Sequence, residues 1–451
     1  MRGSRSAGLV VAMPFVRKAT SPVFRDGSTG KKPTTSDGGC LDLGIGLLEL
    51  REKRGGSGGH FSQVASESLE SRPNATMILL CSILWLLAFI KGNIADTECI
   101  SGVQLTNQLE SCSCASLGVE GHVALQCHNQ KWITVPNIDK GMQGPHKEST
   151  YIAAISFKNG FLMYISQDAF RNTSAQTIDL SRNFVESINV NAFRGLEDNL
   201  YQLLLTQNSL QSIPYHSLTY LRQLRYLYLQ QNQINEITAQ TFAGTQLQNL
   251  KYLHMDKNQL SILPKGALTH LPIQVFTASN NRISEVEKES LPTTLWFLDL
   301  KHNLLNRIPY LALKELKNLK TLDLESNNIT SVETQTEVRF ETEITLLLSN
   351  NKVQKLQAHA FNSFAKLEKL DLSYNQVSQV DETAFAKTSS LKELDLSYNA
   401  IVHIPAKTFE HQASTLKKLN LEENDLHTVP SGLRVLQALE VLNLNSNKLA
   451  E

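Results

Sequence analysis

Between Leu224 and Ile234 the chain reads LRYLYLQQNQI, and this frame of apolar residues closed by an asparagine returns along much of its 451 residues. It recurs as LYQLLLTQNSL from Leu200, LKYLHMDKNQL from Leu250, LEKLDLSYNQV from Leu367 and LKELDLSYNAI from Leu391. The asparagines are Asn183, Asn208, Asn232, Asn258, Asn281, Asn303, Asn327, Asn351, Asn375, Asn399, Asn424 and Asn447. They fall about 24 residues apart, a solenoid period, and one further coil, IAAISFKNGFL from Ile152, carries Gly160 in the asparagine's place. One unit is copied roughly thirteen times, so the chain grows by stacking coils instead of enlarging a single core.

In L-x-x-L-x-L the fourth and sixth positions point to one side of a short strand and the residues between them to the other. The chain must then turn inside an apolar stack, where unpaired N–H and C=O groups are costly. An inward asparagine amide both donates and accepts, so it can serve the turn of its own coil and that of a neighbour. On this account Asn375→Ala costs roughly 1–3 kcal/mol.

These motifs resemble the extracellular leucine-rich repeat family, over about residues 150–451. The segments INVNAFRGL, VDETAFAKT and IPAKTFEHQ continue in that family's manner, with a phenylalanine filling the core from the outer side. The resemblance implies an α/β solenoid: a curved right-handed horseshoe with a parallel concave β-sheet and an irregular, short-helical convex side. The comparators are invertebrate cell-surface and matrix proteins of the chaoptin, Slit and Toll type.

Residues 1–76 are rich in glycine, serine and charge and have little material for a core, so they are expected to form a disordered leader outside the mature protein. The run MILLCSILWLLAF from Met77 has signal-peptide length, and residues 77–95 read as a signal peptide or a signal anchor; a buried core helix is the weaker alternative. The resemblance implies a disulfide-bonded N-terminal cap over residues 96–136 and repeats over 137–451, expected to be truncated at the C-terminus. The cap's Cys99, Cys112, Cys114 and Cys127 are an even set, suited to disulfides in an oxidising compartment, with zinc as the rival reading. The family resemblance implies the pairs Cys99–Cys114 and Cys112–Cys127. Asn172 in NTS and Asn328 in NIT are glycosylation sequons.

Stacked strands present their outward side chains as one long surface suited to a partner. Along it the middle coils stand apart, with Tyr226 and Tyr228, Tyr252 and His254, and Trp296 and Phe297, whereas later coils carry Asp, Lys, Glu, Ser and Asn. Aromatic residues concentrate binding energy at protein interfaces, and they also pack well across neighbouring strands. Both readings, a protein-binding patch and cross-strand packing, apply here. In one coil Glu343 stands where the first leucine belongs, which predicts a distorted start to that strand.

The formal net charge is zero, giving no electrostatic case for nucleic acid. No phosphate-binding loop, H-E-x-x-H helix or G-x-S-x-G elbow occurs, so neither a metal nor another cofactor is implied. The expected function is a non-enzymatic extracellular or cell-surface scaffold, in adhesion, receptor or matrix work, that binds an extracellular protein ligand or receptor. The alternative is the ectodomain of a larger enzyme, such as a receptor kinase or matrix peroxidase. A membrane tether beyond Glu451 and homo-oligomerisation both stay open.

Overall fold

The computed structural model describes residues 104–117, 122–144, 151–333 and 337–450. Residues 1–76 and 77–95, together with Cys99, lie outside the described residues. Within them the chain winds into a solenoid whose strands form one 15-stranded sheet, running in chain order from Ser113–Ser116 to Val441–Asn443. The first pair, Ser113–Ser116 with His122–Gln126, is antiparallel; from His122–Gln126 onward every neighbour is parallel, in register except for shifts between Val123 and Ala124 and between Ile344 and Thr345. Strands stack about 4.8 Å apart, whereas the outer turns need more width, so the sheet side becomes the inner, concave arc.

The core lies behind the sheet. Leu203, Leu227, Leu253, Leu298, Leu322 and Leu370, each at the frame's fourth position, are fully buried. On the convex side Phe170 stacks on Phe193, and Phe361, Phe385 and Phe409 form a second stack with ring centroids 5.4 and 6.0 Å apart. The convex connections are short, including the single-turn helices Tyr215–Leu218 and Tyr310–Leu313. Among the described residues no helix is long and apolar enough to cross a membrane.

The amides occupy the turn behind each strand. Asn232 donates from Nδ2 to Leu205 O at 2.9 Å in the preceding coil and to Leu229 O at 3.0 Å in its own, while its Oδ1 accepts the Leu210 N–H at 3.1 Å. The same three bonds repeat from Asn208 to Asn447. At the start of the ladder Asn183 Oδ1 accepts from Gly160 N and Leu162 N. A Cβ at position 160 would lie 2.8 Å from that oxygen and 2.9 Å from Gln130 O, so only glycine fits there.

The residue before each amide adopts a left-handed backbone, as at Gln207, Gln231, Lys257, His302, Tyr374 and Glu423. This conformation is uncommon for non-glycine residues. Its compensation is a hydrogen bond: Gln231 N donates to Asp256 O and Lys257 N to Ser279 O, which continues strand pairing past the strand ends.

Two irregularities have local causes. In the coil with Glu343, Ile344 fills the first apolar position, pairs with Leu367, and leaves a register break before Thr345↔Lys369. In the outermost described strand Leu442 is 41% exposed, whereas its counterpart Leu419 is 1% exposed because a further coil covers it.

The cap contains the disulfide Cys112–Cys127. It ties the antiparallel hairpin across Leu109, Val123 and Leu125, which are fully buried. Cys127 is therefore not a thiolate available to zinc. Cys114 is disulfide-bonded as well, and its expected partner Cys99 lies outside the described residues.

Candidate functional site

On the concave face the third and fifth positions of each frame point away from the core. The register pairs Tyr226 with Tyr252 and Tyr228 with His254 on adjacent strands, and the rings stack face to face at 4.4 and 4.9 Å. Two residues not singled out in the sequence complete the cluster. Arg225, at the second position of its frame, sits 5.7, 5.8 and 5.9 Å from the ring centroids of Tyr201, Tyr226 and Tyr252, and its Nη1 donates to Tyr201 Oη at 2.6 Å. The signal in the sequence was a cation and a phenol one place ahead of the outward positions, 24 residues apart.

This packing changes the part each aromatic residue can play. Tyr252 is 9% exposed and His254 6%, so both support the cluster from within, whereas Tyr226 and Tyr228 remain half-buried with surface to offer. Trp296 and Phe297 meet edge to face at 5.9 Å, but the Val275–Thr277 strand separates Phe297 from Tyr252. The six sequence candidates thus form two groups on one face. Burial, and then the neighbouring Tyr252, push the Tyr226 phenol well above its ordinary value.

A polar network borders the cluster. Thr277 Oγ1 donates to Asp256 Oδ2 at 2.6 Å, so its one hydroxyl proton is used and the 3.0 Å contact with His254 Nδ1 requires that nitrogen to carry a proton. Burial, opposed by Asp256, pushes His254 down to about 4, and the imidazole is neutral at pH 7. Asp256 Oδ1 also accepts the Ser279 N–H at 2.9 Å.

Five other concave aspartates have a structural task that the sequence did not reveal. Asp179, Asp299, Asp323, Asp371 and Asp395 each accept the backbone N–H two residues ahead, at 2.9 to 3.1 Å, closing the strand ends. Asn420 and Asn443 make the same bond in the last two coils. Asp179, Asp299 and Asp323 are buried. Burial, reinforced by Asp323, pushes Asp299 up to about 7, against the Lys301 N–H and ammonium that favour its charged form.

Neither sequon lies on the sheet. Asn172 is exposed on the convex side with a left-handed backbone, and Asn328 is half-buried just beyond the ladder residue Asn327. No group of three or more His, Cys, Asp or Glu side chains able to hold a metal occurs among the described residues.

Parallel coils, a concave sheet and a continuous amide ladder define a leucine-rich repeat solenoid. Family models described as "Leucine rich repeat" match residues 345–401, 389–449 and 315–332, and one described as "BspA type Leucine rich repeat region (6 copies)" matches 146–268. The chain belongs to the leucine-rich repeat family. It is 26% identical to osteomodulin of Bos taurus over 213 residues, covering 46% of this chain and 47% of that protein. It is 32% identical to human podocan-like protein 1 over 170 residues, covering 37% and 32% respectively. The match therefore spans about half of osteomodulin and a third of podocan-like protein 1. Among solved structures, the Drosophila Toll–Spatzle complex aligns with TM-score 0.56 and 18% identity over 74% of this chain and 54% of that one, a likeness of fold.

Proposed function

We propose that this chain is a non-enzymatic, extracellular or cell-surface scaffold that binds a protein partner on its concave face. The observation that carries this reading is the aromatic and guanidinium cluster of Tyr201, Arg225, Tyr226, Tyr228, Tyr252 and His254. Its rings are already held by stacking and hydrogen bonds. Ordered side chains lose little further freedom on association, so more of the contact energy appears as affinity. Tyr226 and Tyr228 supply the accessible surface, Tyr252 and His254 hold them, and Trp296 and Phe297 extend the contact two strands further.

The disulfide Cys112–Cys127 and the apolar run from Met77 support export. Glycans on Asn172 and Asn328 would leave the sheet open, consistent with binding there. The chain's net charge of zero favours a protein partner over nucleic acid.

The test compares wild type with the Tyr228→Ser, Tyr252→Ser double variant as cross-linking baits in extracellular protein mixtures, with circular dichroism confirming the fold. A partner held by wild type and lost by the folded variant supports the reading. Equal capture by both would assign these rings to cross-strand packing alone.

A further inference from the structure

A second feature lies away from this cluster, beyond the strand ends of the later coils. Tyr374 and Tyr398 occupy the left-handed position before Asn375 and Asn399, with φ of 53° and 52°. Their rings stack at 4.2 Å and 7°, yet they stay 55% and 40% exposed. The turn does not require an aromatic residue: the same place holds Gln207, Lys257, Ser326, Asn350 and Ser446 in other coils.

Tyr398 covers one face of the Tyr374 ring, and the opposite face looks toward the preceding coils. There Tyr374 borders a groove of about 390 Å3 whose lining includes Ser326, Asn350, Lys352 and Gln376 as well as the ladder residues Asn327, Asn351 and Asn375. Asn350 is held across the groove by its Nδ2 bond to Ser326 Oγ at 2.8 Å.

We propose that this groove is a carbohydrate-binding site in which a neutral oligosaccharide lays one pyranose face on Tyr374 and pairs its hydroxyl or acetamido groups with Ser326, Asn350 and Gln376, the ladder amides being spent on backbone. Amide and hydroxyl side chains both donate and accept, as sugar hydroxyls do. The aromatic ring supplies the flat apolar surface that the C–H face of a pyranose needs. A protein hot spot would instead require a desolvated apolar centre, and the groove has no apolar side chain beyond Tyr374. Lys352 is its one charged lining residue, too little to select a polyanion.

The experiment titrates the folded chain with chitohexaose and, separately, a heparin hexasaccharide, read by saturation-transfer NMR on the sugar. Chitohexaose is expected to bind wild type and Tyr374→Phe, and to bind Tyr374→Ser at least tenfold more weakly. Ser326 and Ser446 already adopt this backbone conformation, so the serine variant is expected to fold. Tyr228→Ser is expected to bind chitohexaose as wild type does, which separates this site from the concave cluster. The proposal is overturned if chitohexaose shows no transfer at millimolar concentration or if Tyr374→Ser binds it unchanged. It is equally overturned if heparin alone binds and only Lys352→Gln removes it.

Discussion

The amide ladder makes a quantitative prediction about how two substitutions combine. In Asn232→Ala the Leu210 N–H loses its acceptor, and Leu210 is buried. Leu205 O and Leu229 O each lose one donor but keep another, from Asn208 at 3.0 Å and from Asn258 at 2.9 Å. One stranded buried donor costs about 1–3 kcal/mol, which sets the single-variant effect. Asn258→Ala strands Ile234 N–H in the same way. Combining the two strips Leu229 O of both amide donors, a loss that neither single variant produces. The adjacent double variant should therefore exceed the sum of its singles by roughly 1–3 kcal/mol. Asn232→Ala with Asn303→Ala shares no acceptor and should be additive within about 0.5 kcal/mol. Urea unfolding fitted with coil and nearest-neighbour terms, alongside exchange of the Leu210 amide, measures both. Equal additivity in the two pairs would refute the shared-carbonyl mechanism.

Further outcomes follow from other positions. Asp299→Asn keeps an acceptor for Lys301 N–H while removing a carboxyl raised to about 7. Because the folded state holds that proton more tightly, its stabilising effect is full below the unfolded value and fades as pH rises through about 7. The variant should therefore melt higher than wild type at pH 8 and the same at pH 4, by thermal denaturation at each pH. Gly160→Ala should cost roughly 1–3 kcal/mol, because Gln130 O and Asn183 Oδ1 close on the added carbon. Cys112→Ser opens a link spanning a separation of 15 residues, and should destabilise the cap by about 3 kcal/mol. Faster hydrogen exchange confined to the first coils would register it.

The repeat was legible because its physics is local and periodic: alternating apolar positions specify strands, and an amide in the turn serves two coils at once. The aromatic cluster was legible only in part. Tyr226, Tyr228, Tyr252 and His254 were found because they interrupt a polar pattern, but Arg225 and Tyr201 became members only when adjacent strands brought them over the same rings. Asp299 and Asp371 read alike in sequence, yet Asp299 is buried and Asp371 half-buried. The left-handed residue before each amide left no sequence signal, since the turn tolerates Gln, Lys, His, Tyr and Glu alike.

By itself the amino-acid order determined that no coil could shield its own apolar side, and therefore that the copies must stack. Only the tertiary structure decided which outward side chains are accessible, because exposure on a curved sheet depends on the neighbour 24 residues away. It also decided that Ile344, not Glu343, fills the first core position of its coil. A register shift of one residue satisfies burial there, and a linear pattern does not show it.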